Sequence, residues 1–141
     1  MGALKGQIRP IAIAIIRNEG RVLVSPGYDE VKDQHFYRLL GGGIDFGETA
    51  IDALHREFKE ELEAEIINCK LLNVRENIFI YNGEPYHEVC FIYEADFKDV
   101  SLYEKEELKI LDSVDDGKVV WLEIANSKDK NIFPEGVHEL L

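Results

Sequence analysis

Bulky and small apolar side chains alternate along residues 8–16 (IRPIAIAII), and a second apolar run covers residues 21–25. Asn18, Glu19 and Gly20 lie between the two runs, a turn signal between strand-forming segments, so the pair reads as a β-hairpin. Pro26 and Gly27 break the pattern. Residues 28–36 (YDEVKDQHF) are polar and without a period, which predicts a loop with His35 at its surface. Residues 37–40 form a brief strand leading into Gly41, Gly42 and Gly43, read as a tight turn with positive φ.

Farther along, residues 66–74 and 76–81 are rich in β-branched, aromatic and other apolar side chains, and Asn82-Gly83 after them is a strong hairpin signal. The return strand, residues 87–97 (HEVCFIYEADF), alternates so as to bury Val89, Phe91, Tyr93 and Ala95 on one side. Residues 99–118 are acidic and irregular, with a turn at Asp116-Gly117. A last strand at residues 119–124 carries Trp121, and residues 134–141 form a short closing helix begun by Pro134. Strands, one central helix and a closing helix in this order predict an α/β fold, a mixed sheet between helices.

The central helix lies in residues 41–65 (GGGIDFGETAIDALHREFKEELEAE), where Thr49 is the N-cap and Asp52 stands three residues on, an approximate capping box. At 100° per residue Glu57, Glu60 and Glu61 share one arc of about 100°, beside a core stripe of Ile51, Leu54, Phe58 and Leu62. Ala50 and Ala53 lie on the carboxylate arc, which predicts room for a ligand there. Like charges at this spacing cost roughly 0.2 to 0.5 kcal/mol per pair. A hard divalent cation such as Mg²⁺ or Mn²⁺ reverses that cost, since it takes oxygen ligands. The competing reading is a solvated acidic face with an Arg56 to Glu60 pair.

Composition narrows the picture. A chain of 141 residues that is 45% hydrophobic has the size of one domain, spanning residues 1–141, with its own core. Its formal net charge of −12 argues against nucleic acid bound through a basic surface and against an anionic membrane surface. No signal-like segment opens the chain and no apolar run approaches the roughly 18 residues of a membrane span, so a cytoplasmic protein is expected. Cys69 and Cys90 sit in strand-like apolar surroundings and read as reduced thiols, with no zinc spacing between them or with the histidines.

Gly42, five residues, Glu48, seven residues and then Arg56-Glu57-Phe58-Lys59-Glu60-Glu61 resemble the Nudix box, the signature of the MutT-like Nudix hydrolase superfamily. There are two departures. Glu63 stands where the family has a glycine, and Leu40 where a proline often precedes the double glycine. Glutamate tolerates a left-handed helix end poorly, so a different helix exit is expected.

The resemblance implies an α/β/α sandwich with a mixed sheet. It also implies Mg²⁺- or Mn²⁺-dependent hydrolysis of the diphosphate linkage in a nucleoside diphosphate joined to another group, with a nucleoside triphosphate or dinucleoside polyphosphate favoured. By the same resemblance Glu57, Arg56, Glu60 and Glu61 carry the catalytic roles. Glu57, Glu60, Glu61 and the Gly42 carbonyl hold the metal, Arg56 holds the acids in place, and Glu48 holds the loop. Gly42, Gly43 and Tyr81 are assigned to substrate, Tyr81 because a tyrosine near that position marks the dinucleoside polyphosphate hydrolases. The general base is Glu57 or one of Glu104, Glu106 and Glu107 in the acidic loop. Phe36, Tyr37, Phe79, Tyr81 and Tyr86 are candidates to stack a base. The proline motif of the ADP-ribose hydrolases and the extended signature of the NADH hydrolases are missing. The expected partner is a small-molecule nucleotide, and the assembly considered is a homodimer. Two other readings stand beside this one: a nucleotide-binding sensor on the same fold that has lost hydrolysis, and an acidic calcium binder, which lacks an EF-hand loop.

Overall fold

The computed structural model describes residues 6–111 and 117–141. In chain order their elements are β1 (Ile8–Ile15), β2 (Arg17–Asn18), β3 (Arg21–Asp29), β4 (Gln34–Gly43), the helix α1 (Ala50–Leu62), β5 (Ile66–Tyr81), β6 (Glu84–Phe97), β7 (Glu107–Lys109), β8 (Lys118–Glu123) and β9 (Ile132–Phe133). The strands join in the order β5-β6-β1-β4-β3-β8-β7, with β2 beside β3 and β9 beside β4. The sheet is mixed, as expected. β1 runs parallel to β6 and antiparallel to β4. Among the described residues no helix is long and apolar enough to cross a membrane.

The alternation in β1 reflects burial on both faces. Ala12, Ala14 and Ile16 pack with Ala53, Leu54 and Phe58 of α1, while Ile11, Ile13 and Ile15 join Val22, Val24, Cys90, Ile92 and Val137 in a second cluster. The small side chains fall on the helix side, where they let α1 seat close to the sheet. Phe58, with no exposed surface, meets the Phe97 ring edge to face at 6.2 Å. Truncating such a side chain to alanine costs about 3 to 5 kcal/mol.

Burial on both faces also corrects the return strand. β6 buries Tyr93 and Ala95 on the helix side but equally Cys90 and Ile92 opposite, and Val89 and Phe91 are only half-buried. A strand covered on both sides reads as a continuous apolar run, which single-face alternation misses. The Asn82-Gly83 turn is as expected, with φ of 49° and 80° joining Tyr81 to Glu84.

The first hairpin is shorter than its sequence suggests. Only Arg17 with Val22 and Asn18 with Arg21 pair across Glu19-Gly20, and β1 itself pairs elsewhere. The loop expected over residues 28–36 is too long at both ends: β3 runs through Pro26 and Gly27 to Asp29 and pairs with β4 down to Asp29 opposite Gln34. Proline is tolerated because β8 pairs with β3 only from Arg21 to Val24, which leaves the far side of Pro26 open. The true loop is residues 30–33, and His35 is exposed as expected.

The three glycines are strand residues rather than a tight turn. Gly43, Gly42 and Gly41 pair with Ile11, Ala12 and Ile13, and only Gly41 has positive φ, at 148°. They are small because neighbours press on them: a Cβ on Gly41 would lie 2.1 Å from the Ala12 carbonyl oxygen. The closing helix reduces to a 3₁₀ turn over Val137–Leu140, whose Val137 and Leu140 cover the second cluster. The second helical layer is thus one turn deep. The turn expected at Asp116-Gly117 falls partly outside the described residues.

Gly41→Ala combines positive φ with a backbone clash, and about 2 to 4 kcal/mol of destabilisation is expected. Chemical denaturation checks this, and an unchanged midpoint would show that β4 can yield at Gly41.

Candidate active site

The chain leaves β4 at Gly43 and turns before α1. Asp45 N–H donates to Glu48 Oε1 at 2.9 Å, and Glu48 N–H to the Asp45 carbonyl at 3.0 Å. Thr49 caps the helix as expected, its hydroxyl accepting the Asp52 N–H at 3.2 Å. At the other end Glu63 takes the left-handed conformation (φ 51°), its N–H bonded to the Lys59 carbonyl at 3.0 Å. The expected change of helix exit is therefore absent. Glutamate occupies the glycine geometry, at a cost of roughly 1 to 2 kcal/mol.

Arg56 is the hub of the site. Its Nε and Nη2 donate to the two oxygens of Glu48, both at 2.8 Å, and Nη2 also reaches the Gly43 carbonyl at 2.9 Å. Nη1 donates to Glu57 Oε1 at 2.8 Å and Glu60 Oε2 at 3.3 Å. The planar fork of a guanidinium matches a carboxylate with two parallel bonds, which a lysine cannot do. The Arg56 guanidinium, seconded by the Asp45 N–H, holds the Glu48 carboxyl down at about 2. Glu48 in turn keeps Arg56 protonated, raising its pKa.

Glu57 is 8% exposed and lies against Gly42, where an added Cβ would fall 2.4 Å from its carboxyl carbon. The acid and the glycine are sterically one unit. Ala53 is completely buried in the core beneath α1, and Ala50 packs against the same cluster. The ligand space expected beside these alanines is thus filled by sheet; any ligand must approach farther along, at Glu60 and Glu61.

Glu61 faces a cleft of about 150 Å³ together with Arg9, Arg38, Gly41, Gly42 and Ile110. Gly43 serves differently, as the carbonyl that accepts from Arg56. Glu60 stays half-exposed. Tyr81 lines another cavity, of about 260 Å³, with Phe36, Phe79, Tyr86 and Phe133. Tyr37 packs in the second core cluster. Glu104, Glu106 and Glu107 lie outside the walls of the cleft, and Glu107 pairs with Lys118 at 3.1 Å.

Sequence reasoning missed Arg9, Arg38, Asn77 and Glu88. Arg9 stands opposite Glu88 in the β1–β6 pair, and both are buried, with 3.9 Å between Nη1 and Oε2. Burial lowers the Arg9 pKa, an effect that Glu88 opposes. The available signal was charge inside strands that otherwise read as core.

The acids are oxygen donors of the type hard cations take. Among the described residues, however, no three acidic, histidine or cysteine side chains are gathered closely enough to enclose an ion, since Glu57 and Glu60 turn toward Arg56. The donor chemistry fits a divalent ion, and Glu60, half-exposed and held by Arg56 through one bond of 3.3 Å, is the acid most open to a ligand from solvent.

The NUDIX domain family model matches residues 7–136. The chain belongs to the NUDIX family. Among solved structures it is similar to a MutT NUDIX hydrolase from Burkholderia pseudomallei at 27% identity, covering 84% of this chain and 85% of that one with a TM-score of 0.61. A structure from work on the MutT proteins of Aliivibrio salmonicida and Vibrio cholerae matches at 17% identity over 95% and 94%, with a TM-score of 0.62, a likeness of fold alone. The search of the curated proteins gave no match. NUDIX membership supports a hydrolase acting on pyrophosphate bonds, and the family generally uses divalent metals.

The Glu48–Arg56 lock gives a pH signature. A carboxylate depressed to about 2 from 4.5 stabilises the fold fully above 4.5, and that contribution disappears as pH falls through about 2. The stability gap between the wild type and Glu48→Gln is therefore expected to be flat at neutral pH and to close between about pH 4.5 and 2. Denaturation midpoints across that window check it, and a gap that stays constant to pH 2 would contradict the lock.

Proposed function

We propose that this NUDIX domain is a Mg²⁺- or Mn²⁺-dependent pyrophosphohydrolase that cuts the diphosphate linkage of a small nucleotide, with nucleoside triphosphates and dinucleoside polyphosphates the favoured class. The observation that carries the reading is the Arg56 hub, which holds Glu48, Glu57 and Glu60 in one network beside a cleft faced by Glu61, Arg9 and Arg38. A sensor that had lost hydrolysis would have no need to keep every acid of that network.

Glu57, Glu60, Glu61 and the Gly42 carbonyl would hold the metal. When bound, it neutralises diphosphate oxygens and lowers the pKa of water. The chain's own groups do the rest. Arg9 and Arg38, which line the same cleft, bind the phosphates, as guanidinium forks suit phosphate oxygens. Glu57, fixed between Arg56 and Gly42, orients or deprotonates the attacking water. Arg56 is a positioning residue. The aromatic cavity receives the nucleoside end, with Phe36, Phe79, Tyr81 and Tyr86 offering ring faces.

Hydrolysis of nucleoside triphosphates, dinucleoside polyphosphates, ADP-ribose, nucleotide sugars and NADH, with Mg²⁺ and with Mn²⁺, tests the proposal. Turnover of a nucleotide is expected, falling on the order of 10² to 10⁴-fold in Glu61→Gln with the fold intact. Binding of nucleotide and metal without cleavage, or undiminished turnover in Glu61→Gln, would favour the sensor instead.

A further inference from the structure

Three buried polar residues line the aromatic cavity and are not used by the hydrolytic site: Asp29, whose carboxylate accepts the backbone N–H groups of Val31, Lys32 and Asn82, and the pair Asn77 and Glu88. Asn77 on β5 and Glu88 on β6 are directly opposed in the strand register, are 6% and 2% exposed, and line the same wall. Oε2 of Glu88 is buried and accepts no hydrogen bond among the described residues. The guanidinium nitrogens of Arg9 and Arg38 stand 3.9 and 3.7 Å from it, near enough to neutralise the charge but beyond hydrogen-bond length. A buried carboxylate oxygen without a hydrogen bond is costly, and a ligand that donates to it recovers that cost.

A carboxylate only accepts, and its two oxygens suit two adjacent donors. Among nucleobases guanine offers that edge, N1–H beside the 2-amino group, with O6 next to them for an amide donor such as that of Asn77. Adenine and cytosine present one amino donor beside a ring acceptor, and uracil flanks its N–H with two carbonyls, so each sets at least one lone pair against Glu88. The ring faces of Phe36, Phe79, Tyr81 and Tyr86 suit a flat ring of any identity, so selectivity falls to the polar lining; Asp29 there already accepts from Val31, Lys32 and Asn82, which leaves Asn77 and Glu88 as the buried groups able to read a ring edge.

We infer that Glu88, assisted by Asn77, is the specificity-determining residue of this cavity and selects substrates ending in a 2-amino-4-oxopyrimidine ring, the edge shared by guanine and the pterins. The inference rests on the reading that the cavity receives the substrate's ring end. Arg38 reaches both spaces, lining the aromatic cavity and the cleft of Gly42 and Glu61, so one ligand can span ring pocket and phosphate site.

Calorimetric binding of GMP, IMP, AMP, UMP and neopterin to the intact protein tests this without any need for turnover. GMP or neopterin is expected to bind on the order of ten- to a hundredfold tighter than AMP or UMP, with IMP, which lacks the 2-amino group, in between. Whichever of the first two binds more tightly names the source of the ring. In folded Glu88→Gln the preference should collapse; the wild-type series with IMP stands even if that variant does not fold. Equal affinity across the series, tightest binding of AMP or UMP, or no binding of any of the five would overturn the inference. Cleavage of another diphosphate compound, lost in Glu61→Gln, would still uphold the hydrolase.

Discussion

The site depends on one guanidinium. Arg56 sits on α1, yet its bonds run to Glu48 in the preceding turn, to the Gly43 carbonyl on β4 and to two acids of its own helix. Without it, Glu57 and Glu60 would repel each other across one helical face near its C-terminal end, where the macrodipole also disfavours them. A single cation thus makes an unfavourable acidic arc stable enough to be kept. The same bonds pin loop to helix, so placement of the acids and local folding have a common cause.

A second constraint is steric and comes from the sheet. β4 carries its glycines into the middle of the sheet opposite β1, where Ala12 crowds Gly41 and Glu57 occupies the space a Gly42 side chain would need. Helix and sheet can approach only because Ala12 and Ala14 are small. That close approach buries Glu57 and leaves Glu60 and Glu61 at the open end, so packing of the core decides which acids face a ligand.

Local signals carried much of this from sequence. Thr49 and Asn82-Gly83 act over a few residues, and both hold in the structure as read; Arg56 also bonds Glu48 eight residues back. Non-local features were hidden. The ends of the loop expected over residues 28–36 are paired strand, and β3 can carry Pro26 because β8 stops short of it, a fact about a distant segment. Ala53 was read as open surface because a helical wheel cannot show which arc the sheet covers. Arg9, Asn77 and Glu88 come together only through the β5–β6–β1 register, and no spacing along the chain links them.

In the proposed reaction Arg56 works through the carboxylates it holds. Steady-state kinetics of Arg56→Lys against the wild type on one cleaved nucleotide test it most directly, since lysine keeps the charge and loses the fork. The expected result is a fall in kcat on the order of a hundredfold with KM changed only a few-fold, because the acids lose their geometry while substrate contacts remain. A kcat close to wild type, or a loss confined to KM, would contradict it.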